Sequence, residues 1–131
     1  MAREGMTDER QRLGVDGERA AQRFLRRRGY TIVECNYRCP LGELDLVALD
    51  GRTLVFVEVK TRRGTRAGSP FDAVDPRKQR QIARAAEYYL SARGLHDRDV
   101  RFDVVGVWRD GEAIACELVR DAFEPGEWGG W

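Results

Sequence analysis

Two short segments carry acids and a lysine at strand spacing: Glu43-Leu44-Asp45 and Glu58-Val59-Lys60. Side chains two apart share one face of a strand. Leu54, Phe56, Glu58 and Lys60 therefore line one face, and Val55, Val57 and Val59 line the other. The first face turns from apolar to charged at its C-terminal end. A solvated face would not carry Leu54 and Phe56, so Glu58 and Lys60 belong at the rim of a core. The preceding segment repeats the pattern: Glu43, Asp45, Val47 and Leu49 share a face, opposite Leu44, Leu46 and Ala48.

Asp50-Gly51, between the segments, is a hairpin signal. In an antiparallel hairpin the two charged ends lie side by side. With Asp50-Gly51 as a two-residue turn, Glu43 faces Glu58 and Asp45 is diagonal to it. With a four-residue loop, Asp45 lies directly opposite Glu58. Direct and diagonal neighbours are about 4.5–8 Å apart. An odd loop without a bulge would send the acids to opposite faces, so the site depends on register.

Three ionised carboxylates this close repel one another. Either one keeps its proton, or a cation lies among them. Hard oxygen ligands suit Mg²⁺ or Mn²⁺, with Glu43, Asp45 and Glu58 as the metal-binding acids. Lys60 is no ligand while charged, but it would hold a water or a phosphate oxygen beside the ion. This is equipment for metal-assisted phosphodiester hydrolysis. Glu18 is a fourth candidate acid. It lies at the edge of a helical apolar face, where a carboxylate is drawn inward and needs a partner.

The elements that must hold these residues follow from periodicity. Residues 8–28 read as a helix, with Leu13, Gly17, Ala20, Ala21, Phe24 and Leu25 recurring at three and four. Gly29 ends it. Thr31 to Tyr37 is β-like, and Cys39-Pro40-Leu41-Gly42 is a turn. Then come the two hairpin strands, Glu43 to Leu49 and Thr53 to Lys60, and a loop over 62–70. Asp75-Pro76 opens a second helix with an acidic cap and proline at its first position. Ile82, Ala85, Ala86, Tyr89 and Leu90 give its apolar face, and Gly94 ends it. Val100 to Trp108 is a strand, and Gly111 turns into another over Ala113 to Val119. The order α-β-β-β-α-β-β predicts an α/β fold, a mixed sheet flanked by helices. One domain over residues 8–120 is expected, with loose termini at 1–7 and 121–131.

Bulk properties remove other classes. No apolar run approaches the roughly 20 residues of a membrane span. The start is polar and charged, unlike a signal peptide, so a cytoplasmic protein without membrane contact is expected. The cysteines are Cys35, Cys39 and Cys116, an odd number that argues against a disulfide framework. Cys35-x3-Cys39 lacks a second ligand pair, and His96 is the sole histidine, so zinc is not indicated. A small buried apolar side chain is expected at Cys35 or Cys116. Net charge is +1 but uneven. From Lys60 to Arg84 eight basic residues stand against two acids, a net of +6, and Arg109 to Trp131 carries −4. Arg62, Arg63, Arg66, Arg77, Lys78, Arg80 and Arg84 are thus the candidate nucleic-acid-binding residues, facing a polyanion.

Gly42-Glu43-Leu44-Asp45-Leu46, followed by Val57-Glu58-Val59-Lys60-Thr61-Arg62, resembles the bacterial YraN-like family. Gly17-Glu18 and Phe102-Asp103-Val104-Val105 fit the same pattern, and the resemblance covers about residues 11–120. That family is similar to archaeal Holliday-junction resolvases and has the restriction-endonuclease-like, PD-(D/E)xK, fold. The resemblance implies a catalytic set of Glu18, Asp45, Glu58 and Lys60, with Glu43 as an extra acid. It also implies the backbone carbonyl of Val59 as a metal ligand beside Asp45 and Glu58. The name-giving Pro-Asp pair is Leu44-Asp45 here. The implied activity is that of a divalent-metal-dependent endonuclease on DNA, ahead of RNA, including branched DNA. A homodimer is implied by the same analogy. Two other readings stay open: a non-catalytic nucleic-acid-binding module, and an accessory protein docking through Trp108, Trp128 and Trp131.

Overall fold

A computed structural model describes residues 2–65 and 74–124, with side chains from residue 11 on. Its elements are α1 (Ala2–Arg27), β1 (Thr31–Cys39), β2 (Gly42–Asp50), β3 (Thr53–Arg63), α2 (Pro76–Arg93), β4 (Val100–Asp110) and β5 (Ala113–Val119). This is the predicted order, and it is the architecture of a restriction-endonuclease-like core. The strands form one mixed sheet in the order β1-β2-β3-β4-β5. The β3–β4 pair is parallel and the other pairs are antiparallel. A parallel pair needs a long crossover, and α2 lies within it.

The strands alternate, and each face takes one helix. Leu54, Phe56, Phe102 and Val104 pack with Ile82, Ala86 and Tyr89 of α2. Val55, Val57, Val59, Val105 and Val107 pack with Ala20, Ala21 and Leu25 of α1. The aliphatic stripes read from the sequence are thus the two halves of the core. Asp75 caps α2, its carboxylate accepting from the Lys78 N–H at 2.9 Å.

Several boundaries differ from expectation. α1 starts at Ala2 and takes in residues 2–7, expected as a loose leader. Ala, Arg, Glu and Met at positions 2, 3, 4 and 6 are good helix formers. β3 runs on to Arg63 because β4 pairs with it that far, Arg62 opposite Trp108 and Arg63 opposite Arg109. The start of the expected loop is therefore strand. Residues 121–124 are not loose either. Ala122 N–H donates to the Phe102 carbonyl at 2.7 Å, and Phe123 stacks on Phe102 with centroids 5.0 Å apart. Trp108 is buried, as a core residue, which removes it from any docking surface. Trp128 and Trp131 lie outside the described residues. All three cysteines are free, and Cys35 is exposed rather than buried because it sits on the edge strand β1. Among the described residues no helix is long and apolar enough to cross a membrane.

Buried polar groups away from the acids form a closed network. Asp103 is fully buried and accepts from Tyr30 Oη and from Arg101 Nε, each at 2.8 Å, and from the Asp121 N–H at 2.9 Å. Arg101 also reaches Asp50 at 2.9 Å. Burial and the Asp103 carboxylate push the Tyr30 hydroxyl up to about 12. A buried carboxylate is tolerable when paired and hydrogen-bonded in this way. The network ties β4 to the start of β1 and to the end of β2.

Candidate active site

Register decides the site. β2 and β3 are paired from Leu46↔Val57 to Asp50↔Thr53, so the turn is Gly51-Arg52 rather than Asp50-Gly51. Gly51 takes φ 61°, the left-handed value that favours glycine at the first position of a two-residue hairpin loop. The count is that of the four-residue loop from Leu49 to Leu54, which sets Asp45 against Glu58.

The ladder stops at Leu46, one residue short of Asp45. There the alternation of β2 breaks. Leu46 and Ala48 lie in the α1 half of the core, but Leu44 lies in the α2 half. The expectation that Leu44, Leu46 and Ala48 share a face fails because the chain is no longer held flat by β3. On its other side, Asn36 of β1 takes φ 53°, a conformation asparagine tolerates. Freed from the ladder, Asp45 turns toward β3, and its carboxylate accepts the Val59 N–H at 2.8 Å.

Glu58 is 5% exposed and lies beside Asp45, whose charge acts on it. Burial, then the Asp45 charge, push Glu58 up to about 7. Burial also raises Asp45, against the pull of the Val59 N–H and of two lysines. Both carboxyls of the pair therefore hold a proton more tightly than usual. Two ammonium groups face Glu58 Oε1, Lys60 Nζ and Lys78 Nζ, each at 3.7 Å. Lys60 comes from the same strand face, as its spacing predicts. Lys78 comes from the first turn of α2, fixed by the Asp75 cap.

Glu18 arrives from the opposite layer. The neighbouring Gly17 lets α1 rest directly on β3: a Cβ at Gly17 would lie 2.0 Å from Thr61 Oγ1. Half-buried Glu18 is raised, first by desolvation, and its carboxylate bonds to the Asn36 side chain. The charges of Asp45 and Glu43 raise it further. Glu18 thus stands at the rim of the same site. Glu43 does not join the pair; it is exposed and bridges to Arg38 at 3.2 Å.

Residues 17–107 match the family described as Uncharacterised protein family UPF0102. The chain belongs to UPF0102. It is 48% identical over 120 residues to a UPF0102 protein of Moorella thermoacetica, covering 90% of this chain and 100% of that one. It is 49% identical over 119 residues to one of Desulforapulum autotrophicum, with 91% and 98% covered. A third, from Desulfosudis oleivorans, is 50% identical over 119 residues, with 91% and 95% covered. The UPF0102 span contains Glu18, Asp45, Glu58, Lys60 and Lys78.

In this UPF0102 chain, Val59, whose carbonyl the resemblance offers as a metal ligand, contributes its N–H to Asp45. Arg62 and Arg63 are exposed at the end of β3, and Arg77, Arg80 and Arg84 are exposed on α2. Arg66 lies outside the described residues. Lys78, expected to touch nucleic acid, is also a member of the acidic site. Asn36 was not anticipated; an asparagine within a strand pattern is its only sequence signal.

The donor set suits a hard divalent cation. Two buried carboxyl groups side by side provide the oxygen ligands such an ion prefers. Among the described residues no group of three His, Cys, Asp or Glu side chains is placed to hold a metal. Water would complete the shell of such an ion.

Proposed function

We propose that this protein is a divalent-metal-dependent endonuclease that hydrolyses a phosphodiester in DNA at the Asp45–Glu58 site. The observation that carries this reading is the buried Asp45–Glu58 pair of carboxyls, with Lys60 and Lys78 each 3.7 Å from Glu58. Two carboxyls buried side by side disfavour each other's ionised form, a cost that a bound cation would offset.

Asp45 and Glu58 would hold Mg²⁺ or Mn²⁺, which supplies Lewis acidity toward water and a phosphoryl oxygen. The chain's own residues do the rest. The Val59 N–H fixes the Asp45 carboxylate in one orientation. Lys60 and Lys78, drawn to Glu58 here, would hold non-bridging phosphate oxygens and stabilise charge developing on them. Glu18, with its proton held more tightly than usual, would exchange a proton with water from the rim. Arg62, Arg77, Arg80 and Arg84 would take neighbouring phosphates, which position a strand without reading its sequence.

Labelled linear, nicked and branched DNA incubated with Mn²⁺ or Mg²⁺ tests the reading. Cleavage lost in Glu58→Gln and in Lys60→Met is expected. Cleavage absent from all substrates, or unchanged in both variants, would contradict it. DNA binding indifferent to Asp45→Asn and lacking any cleavage would favour the non-catalytic module instead.

A further inference from the structure

The β1–β2 hairpin ends in Pro40-Leu41, and Leu41 is 47% exposed. This tip is held in place. Gly42 takes φ 148°, and a Cβ there would lie 3.2 Å from Gln81 Cγ, so the hairpin rests against α2. The Cys39 thiol donates to the Gly42 carbonyl at 3.4 Å. Leu41 shares one groove with Arg77, Lys78, Arg80, Gln81, Arg84 and a single acid, Asp75, whose carboxylate is taken up in capping α2.

Arg77, Arg80 and Arg84 are spaced three and four apart, so they share a helix face. They span about 10 Å along the axis. All three are exposed, and among the described residues no carboxylate pairs with them. Lys78, in the same groove, reaches Glu58 at 3.7 Å. A cation row therefore leads to the acidic pair, with a fixed, solvent-facing leucine beside it.

We propose that Leu41 is a wedge that enters an unstacked base step of a nucleic acid whose backbone lies along Arg77, Arg80 and Arg84. The substrate class is then a duplex interrupted by an end, gap or fork rather than a continuous duplex. This rests on the nucleic-acid reading of the Asp45–Glu58 site. A leucine gains by leaving water between bases only where a step is open. Opening a step is costly inside a continuous duplex and already done at a fork.

Fluorescence anisotropy in EDTA tests the proposal, with one sequence offered as a continuous duplex and as a fork carrying 2-aminopurine at the branch. Wild type is expected to bind the fork at least tenfold tighter and to change the 2-aminopurine emission. Leu41→Ser should bring fork affinity down to that of the duplex and abolish the emission change. Arg80→Gln with Arg84→Gln should weaken both by a similar factor and flatten the log–log salt slope by about 0.9 per lost charge. Equal wild-type affinities, or a preference that survives Leu41→Ser, would overturn the wedge while leaving DNA binding intact. Binding to neither DNA would overturn it together with the nucleic-acid reading. Fork preference without metal-dependent cleavage would uphold the wedge and remove only the nuclease assignment.

Discussion

The backbone N–H of Val59 donates to the carboxylate of Asp45 at 2.8 Å, just past the last paired residues of β2 and β3. A side chain here takes over from a strand partner. The bond turns Asp45 toward Glu58 and satisfies an amide that the ladder has released. Asp45→Ala should therefore cost about 1–3 kcal/mol, the penalty for a buried donor left unmade. Asp45→Asn keeps an acceptor and should cost less. Urea unfolding of both variants checks this; equal losses would mean that the bond does not hold the site.

Glu58 makes stability depend on pH. Its folded value, about 7, lies above the ordinary 4.5 of an unfolded chain. Below 4.5 both states are protonated. As pH rises toward 7 the unfolded state loses its proton first, so folding weakens across that window. The loss is of the order of 3 kcal/mol at 1.36 kcal/mol per unit. Glu58→Gln should flatten the profile and exceed wild type in stability at pH 8. Lys78 lowers Glu58, so Lys78→Met should extend the decline above pH 7. Denaturation midpoints across pH 4 to 8 in metal-free buffer measure this, and a flat wild-type profile would contradict it.

Gly17→Ala should destabilise the protein although alanine is the better helix former. The added methyl would meet Thr61 Oγ1 at 2.0 Å and push α1 off β3. Overpacking of this kind costs about 1–3 kcal/mol. Because Glu18 is carried by the same turn, the variant should lose activity as well as stability. Thr61→Ala in the same chain should recover part of the stability, measured as a double-mutant coupling. Strict additivity of the two changes would rule out the close approach.

Much of this was legible in the sequence because it is local. The period-two face of Leu54, Phe56, Glu58 and Lys60 placed two site residues at the rim of a core, and they are there. Asp75-Pro76 marked the start of α2. The Gly17 spacing marked the helix face that meets the sheet. What stayed hidden depends on contacts between distant segments. Asp50-Gly51 signals a turn but does not say which pair closes it, so the choice between diagonal and direct opposition stayed open. The break in β2 at Asp45 arises from the loss of pairing to β3 and from the backbone of Asn36, neither visible in an alternating pattern. Lys78 read as one charge in a basic stretch because nothing in α2 alone shows that its first turn hangs over Glu58. Glu43 read as a ligand from its spacing, but past the break in β2 its side chain finds Arg38 instead.

The central claim is that Asp45 and Glu58 together hold a divalent ion. Calorimetric titration of Mn²⁺ into the wild-type protein and into Asp45→Asn and Glu58→Gln tests it most directly, before any substrate is known. The expected result is one site per chain in wild type, with proton release at pH 6 as Glu58 gives up its proton, and loss of that binding in both variants. Mn²⁺ binding that survives both substitutions, or none in wild type, would contradict the account.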